Sequence, residues 1–409
     1  MIKTLIIGSV WPEPKSSAAG SHMMQLIAAL QSHNYQITFA SASQKSERAV
    51  DLSQLGIDQL EIKLNDSSFD DFITSLTPEM VIFDRFMTEE QFGWRVSENC
   101  PNAMRVLNTE DLHGLRKARE MAVMEGRAFD RSYYFNDTAK REIASIFRSD
   151  LSLIISDYEM ELLQSEFNVN TALLHYFPFA MEAISATTQN MLPAFSQRRY
   201  FISIGNFLHA PNYHAVLQLK EVIWPLIRSK LPEAELHIYG SYMPQKMHQF
   251  HNESNGFILK GTVEDANEVM KQAKVCLAPL RFGAGLKGKL VEAMCNGTPC
   301  VTTSVGAEGL FGTHEPNGYV EDDPGQFAEK AIQLYTNEAE WSDKQRNGFQ
   351  LINDRFSRTE HEQNLGNKIS EIKNALTKHR SQNFMGAMLL HQSLHSTKFM
   401  SKWIEEKNK

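Results

Sequence analysis

Residues 281–294 read RFGAGLKGKLVEAM, with glycines at 283, 285 and 288, lysines at 287 and 289, and a glutamate at 292. Glycines without side chains let backbone N–H groups approach phosphate oxygens. A helix starting near Gly288 would turn its positive end toward the same oxygens. Lys287 and Lys289 add charge, and Glu292, just inside the helix, can accept two hydrogen bonds from a ribose diol. Lysines for a diphosphate and a carboxylate for sugar hydroxyls describe a site for a nucleoside diphosphate.

Two other chemistries use the same glycines. Gly283 to Lys289 has the glycine and lysine spacing of a P-loop. The next residue is Leu290, where that motif requires a magnesium-binding Ser or Thr. Gly283, Gly285 and Gly288 also spell GxGxxG, and Glu308 stands 23 positions after Gly285. A dinucleotide fingerprint belongs after the first strand of its domain, whereas this loop follows the fourth apolar run of the second half. A dinucleotide-dependent oxidoreductase, with Glu308 on a ribose, stays as a rival reading.

A second cluster lies in VLNTEDLHGLRKARE (106–120). Glu110, Asp111 and His113 sit where a strand gives way to a helix. Thr109 or Asp111 would cap that helix, or Asp111 or His113 would face a cleft and orient a reacting hydroxyl or sugar. His22 is either a phosphate contact or a surface residue. The basic stretch that follows, to Arg127, reads first as a solvated helix face. EDD (321–323) reads as a turn before a helix rather than a metal pair.

The elements that must position these residues follow one rhythm. Short apolar runs at 4–9, 36–42, 80–84, 104–109, 151–157 and 172–177 alternate with helical patterns, and the rhythm restarts at 199–205, 235–240, 256–261, 274–280 and 299–304. Such alternation predicts an α/β fold with two doubly wound parallel sheets, each covered by helices. Residues 178–198, with two prolines, are the expected linker. The expected units are 1–180, 199–380 and a helical tail at 381–409 that packs back on the first domain. In that tail Leu389, Leu390, Leu394, Phe399 and Trp403 predict a core-facing helix, with a membrane-surface helix as the alternative.

At 409 residues, with 42% hydrophobic and 22% charged content, the chain is a globular protein of more than one domain. Residues 1–190 hold 26 acidic and 16 basic residues, and the remainder 23 and 25. That balance argues against a nucleic-acid partner. Cys100, Cys276, Cys295 and Cys300 form no CxxC pair, which fits a reducing cytoplasmic setting.

PLRFGAGLKGKLVEAMCNGTPCVTTSVGAEGL (279–310) resembles the donor-binding segment of GT-B-fold glycosyltransferases, close to glycosyltransferase family 4. FISIGNFLHAPNYHAVLQL (201–219) and GTVED (261–265) stand in the order that family shows. The resemblance implies a GT-B fold and a nucleotide-sugar donor. It implies that Glu292, second Glu of an E-x7-E signature, holds the donor ribose. Gly285, Leu286, Lys287 and Lys289 would form the pyrophosphate loop, and Gly261 and Val263 would meet the base. Gly20 would lie in the first-domain loop that reaches the phosphates. Asp111 and His113 would serve the acceptor side and the transferred sugar, with Lys287 stabilising the leaving diphosphate.

The chain departs from the pattern twice. Ala284 stands where the first Glu of E-x7-E belongs. After Gly205, His209 and Asn212 stand where an Arg and a Lys are common, which shifts phosphate neutralisation onto Lys287 and Lys289. The resemblance further implies retention, no metal or other cofactor, and a glycan, lipid-linked glycan or small-molecule acceptor. A cell-surface polysaccharide pathway is the implied setting, cytoplasmic or at the inner membrane face. Ala284 keeps open a nucleotide-sugar-binding protein without transfer activity.

Overall fold

The computed structural model describes residues 2–408; Met1 and Lys409, the outer ends of the expected first unit and tail, lie outside it. Strands β1 (Ile2–Gly8), β2 (Tyr35–Ser41), β3 (Asp58–Glu61), β4 (Met80–Asp84), β5 (Met104–Asn108), β6 (Leu151–Ile154) and β7 (Leu174–Tyr176) form one sheet in the order β3-β2-β1-β4-β5-β6-β7. Strands β8 (Phe201–Ile204), β9 (Leu236–Tyr239), β10 (Phe257–Gly261), β11 (Val275–Ala278), β12 (Cys300–Thr302) and β13 (Gly318–Val320) form a second, in the order β10-β9-β8-β11-β12-β13. Neighbouring strands run parallel in both.

Side chains alternate across each strand, yet both faces are apolar. Leu5, Ile7, Val81 and Phe83 join one core, while Ile6, Met80 and Ile82 join the core on the opposite face. That is why these strands read as continuous apolar runs: a parallel sheet buried under helices on both sides needs them. The apolar-run reading misses β3 and β13. The first is an edge strand of sequence DQLE and the second only three residues long, so neither carries an apolar run.

The chain crosses between domains twice, side by side. Met181 N–H donates to the Phe356 carbonyl at 2.7 Å, and Arg358 N–H donates to the Met181 carbonyl at 2.9 Å. The expected linker is therefore short in space. Beyond Met181 its chain packs on the second domain, where Ile184 and Leu192 join the core and buried Arg198 bonds the carbonyls of Pro193, Ala273 and Asn296.

The return crossing comes earlier than the expected boundary at 380. The helix Arg358–Asn374 lies on the helix Ala18–Ser32 and adds Leu365, Ile369 and Ile372 to the first domain's core. Arg380 then holds Asp150 with two bonds of 2.8 Å. The last helix, Phe384–Lys407, packs on helices Phe86–Asn99 and Asp137–Arg148. Its apolar face is not the core face expected: Leu389, Leu390 and Leu394 are half-buried, and Phe399 and Trp403 are exposed.

Candidate active site

In a doubly wound sheet the carboxyl ends of the two strands flanking the order reversal leave a crevice between diverging loops. Here those strands are β1 and β4 in the first sheet and β8 and β11 in the second. The two crevices face each other around one cavity of about 890 Å³. Its second-domain wall includes Gly205, Asn206, His209 and Asn212 after β8, Val263 and Asp265 after β10, and Gly283 to Lys289 with Glu292 after β11. Its first-domain wall includes Lys15 to Ala19 after β1, Arg85 after β4, and Glu110, Asp111, His113 and Arg116 after β5.

The glycine loop is held from three directions. The Lys287 ammonium turns back to donate to the Gly285 and Ala284 carbonyls at 2.6 and 3.2 Å. Gly285 N–H donates to Glu159 of the first domain at 2.8 Å, and the Gly283 carbonyl accepts from Arg119 at 2.8 Å. Gly285 has a φ of 63°, and a Cβ there would lie 2.8 Å from the Asp111 Cβ. Only glycine allows this bend and this approach.

The helix Gly288–Cys295 follows with Lys287 as its N-cap residue. One position on, the Lys289 ammonium donates to Asn212 Oδ1 at 2.7 Å and lies over Gly205, where a Cβ would come within 2.9 Å of it. Burial lowers the Lys289 ammonium to about 8, with Glu292 opposing the shift. Burial raises the Glu292 carboxyl to about 7, against the pull of Lys289. Lys287 is also lowered by burial, against Glu308, Glu159 and Asp111. These are charges held in a dry wall, where an incoming opposite charge is felt strongly.

Across the cavity Asp111 is ion-paired with Arg116 at 2.5 Å. Burial works against its ionisation, yet Arg116, His113, His209 and Arg85 hold its carboxyl well below the usual range. His113 Nδ1 lies 3.0 Å from the Asp111 carbonyl and 3.5 Å from Glu142. Burial alone would lower this imidazole, but Asp111 and Glu142 raise it. His209 is the opposite case, lowered by burial.

The helix that begins at His113 is not capped as expected. Thr109 Oγ1 donates to the Leu153 carbonyl instead. The caps come from other helices: Glu142 accepts from His113 N–H and Gly114 N–H, each at 2.9 Å, and Glu159 accepts from Leu112 N–H at 3.0 Å. Asp111 and His113 are thereby left facing the cavity.

Of the expected site residues, Asp111, His113, Lys287, Gly205, His209, Asn212, Val263, Gly285, Leu286, Lys289 and Glu292 all line the cavity. Gly20 and Gly261 do not. Gly20 lies beneath the β1 loop, where a Cβ would strike the Glu13 backbone, and residues 14–19 reach the cavity instead. Gly261, with φ of 74°, shapes the turn that delivers Val263. His22 is neither surface nor phosphate contact; it is buried between Glu110 and the Phe177 carbonyl. In EDD, Asp323 caps a helix and Asp322 accepts from Ser304.

The dinucleotide reading fails on Glu308. Its carboxylate is held by a bidentate pair with Arg119 across the domains, at 2.5 and 2.6 Å, so it is committed elsewhere than to a ribose. Arg119 also removes part of the basic stretch from the expected solvated face.

Residues 198–337 match the family model described as glycosyl transferases group 1. The chain carries a group 1 glycosyl transferase domain. It is therefore a glycosyltransferase, and its two facing sheets are the GT-B fold. Solved structures agree over nearly the whole chain. Sucrose-phosphate synthase from Thermosynechococcus elongatus is 15% identical, covers 92% of this chain and 100% of its own, and superposes with a TM-score of 0.65. HepE from Anabaena, solved with UDP and glucose, is 12% identical over 90% of this chain and 100% of its own, at 0.67. WaaG, a glycosyltransferase involved in lipopolysaccharide biosynthesis, is 11% identical over 90% and 99%, at 0.62. At these identities the likeness is one of fold. No curated protein matches the chain in sequence.

Sequence reasoning missed Arg85, Lys15 and Arg116, and singled out Glu110 only as part of the cluster with Asp111 and His113. A charged residue directly after the apolar run MVIFD was the available signal for Arg85. Its meaning depends on β4 lying at the order reversal of the first sheet, which no local pattern states.

Proposed function

We propose that this glycosyltransferase moves a sugar from a nucleoside-diphosphate sugar to a hydroxyl acceptor with retention of configuration. The observation that carries the reading is the shared cavity. Lys289, Glu292 and the glycine loop stand on one wall, and Asp111 and His113 stand on the other. The base lies against the loop after β10, at Val263. The ribose diol donates to Glu292. The diphosphate lies against Lys289, the glycine loop and the Gly288 helix end. Lys287 acts mainly by bracing that loop, since its ammonium is spent on two carbonyls.

In the reaction the bond from the sugar anomeric carbon to the diphosphate oxygen breaks. A bond from that carbon to the acceptor oxygen forms on the same face. The acceptor proton passes to the departing diphosphate oxygen. Negative charge grows on the diphosphate, and Lys289 and the loop N–H groups stabilise it in place, a preorganised electrostatic role that needs no metal. Asp111 and His113 orient the hydroxyls. The missing carboxylate at Ala284 leaves sugar contacts to these first-domain residues.

HepE was solved with UDP and glucose, and WaaG takes part in lipopolysaccharide biosynthesis. The first supports a uridine nucleotide as first candidate, and the second a cell-surface glycan as the setting. Melting curves with UDP, GDP, ADP, dTDP, CMP and NAD(P) test the donor site. One nucleoside diphosphate should raise the midpoint in wild type and do so far less in Lys289→Ala and Glu292→Ala. A response to NAD(P) alone, or to none, sinks the reading. Once an acceptor is in hand, transfer should survive EDTA.

A further inference from the structure

Arg85 stands at the cavity with a backbone that arginine rarely adopts. Its φ is 70° and its ψ 156°, a region occupied almost only by glycine. The conformation is fixed on both sides. Arg85 N–H donates to the Asn108 carbonyl of β5 at 2.7 Å, and the Arg85 carbonyl accepts from Thr88 N–H at 3.1 Å. A glycine here would remove the strain at once, so the side chain is what the strain retains.

That side chain is a cation with unused capacity. Among the described residues its guanidinium makes one hydrogen bond, Nη1 to Ser9 Oγ at 2.6 Å, and no ion pair. Asp84, Glu110 and Asp111 lie close enough to stabilise its charge, yet among the described residues none of them accepts a hydrogen bond from it. Asp84 Oδ2 accepts from Ser9 N–H and Oγ, Glu110 accepts from Asn108 Nδ2, and Asp111 is paired with Arg116. A guanidinium has five donors in a planar fork suited to two oxygens of one anionic group. Lys15 lines the same first-domain wall. The donor's phosphates already have Lys289 and the glycine loop on the opposite wall.

We propose that Arg85 is the anchor of an acceptor subsite, holding a phosphate or carboxylate carried by the acceptor beside the hydroxyl that is glycosylated. The acceptor class is thus an anionic sugar, glycan or polyol. The assignment to the acceptor rests on the donor reading above.

The test uses the full chain saturated with the nucleoside diphosphate that raises its melting point, and titrates inorganic phosphate and, separately, glucuronate. The variants are Arg85→Gly and Arg85→Lys. At least one anion should bind wild type saturably, and about ten-fold or more weakly to Arg85→Gly, with Arg85→Lys between them. Nucleotide affinity should stay the same in both variants. Phosphate and glucuronate distinguish the two anionic groups. Equal anion affinity in wild type and Arg85→Gly overturns the proposal. So does loss of nucleotide binding in Arg85→Gly, which would make Arg85 part of the donor site. A wild type that binds no nucleotide sinks the donor reading instead. The anion titrations are then read without nucleotide, and equal affinities still overturn the subsite.

Discussion

Lys289 and Glu292 are one helical turn apart on the Gly288 helix, and each keeps the other's charge affordable in a dry wall. Replacing Lys289 with Ala should weaken nucleoside-diphosphate binding by about 1.5–3 kcal/mol, the range for hydrogen bonds to charged groups, read by calorimetry. The pair also sets a pH window. Nucleotide affinity should rise as pH passes about 7 and Glu292 ionises, then fall beyond about 8 as Lys289 loses its proton. Affinity that stays flat from pH 6 to 9 would remove both groups from the donor site. Unliganded stability carries the opposite sign. The raised Glu292 value takes stability away as pH climbs from the ordinary carboxylate range through about 7. The lowered Lys289 value returns stability as pH climbs from about 8 toward the ordinary amine range. Both residues were legible in sequence because their relation is local, three positions on one helix after a glycine loop.

At the scale of elements, the glycine loop works because it can be approached closely. A Cβ at Gly285 would meet Asp111 at 2.8 Å, and one at Gly288 would meet the Ala18 Cβ at 2.6 Å. Gly285→Ala, forced to a φ of 63°, should lose about 1–3 kcal/mol in chemical denaturation. Gly288→Ala carries no such strain and should chiefly push the first domain away. Small-angle scattering should show a larger radius of gyration for Gly288→Ala, with donor affinity reduced. Unchanged scattering would mean that Ala18 simply gives way. The strands themselves were readable as apolar runs wherever both faces are covered. The edge strand β3 was not, and the tail helix was readable as a helix but not in how far its apolar face is covered, because that burial is decided by what lies beside it.

Over the whole molecule, the two domains are tied by polar groups far apart in sequence. Arg119 reaches Glu308 and the Gly283 carbonyl, Arg355 reaches Asp157, and Tyr242 reaches Glu13. Arg119→Ala leaves Glu308 without its partner and the glycine loop without one brace. It should cost about 1–3 kcal/mol in denaturant unfolding and shift scattering toward an open form. If Arg119→Ala matches wild type in both, closure depends on other contacts. The side-by-side crossings at Met181 and Ser357 make this opening a hinge motion around one place.

What the sequence determined by itself is whatever a few consecutive residues can state. Apolar runs between helical patterns dictate parallel sheets under helices, and Gly283 to Glu292 dictates a glycine loop entering a helix with two lysines and a glutamate at its start. Tertiary structure decided the rest, since its partners lie far along the chain. Glu159 meets Gly285 from 126 positions away, and Arg119 meets Glu308 from 189. Only the strand order brings Arg85 to the order reversal beside Asp111, and only closure makes their wall face Lys289. Loops with no periodicity carry no record of such meetings, which are fixed by packing of the two domains rather than by local preference.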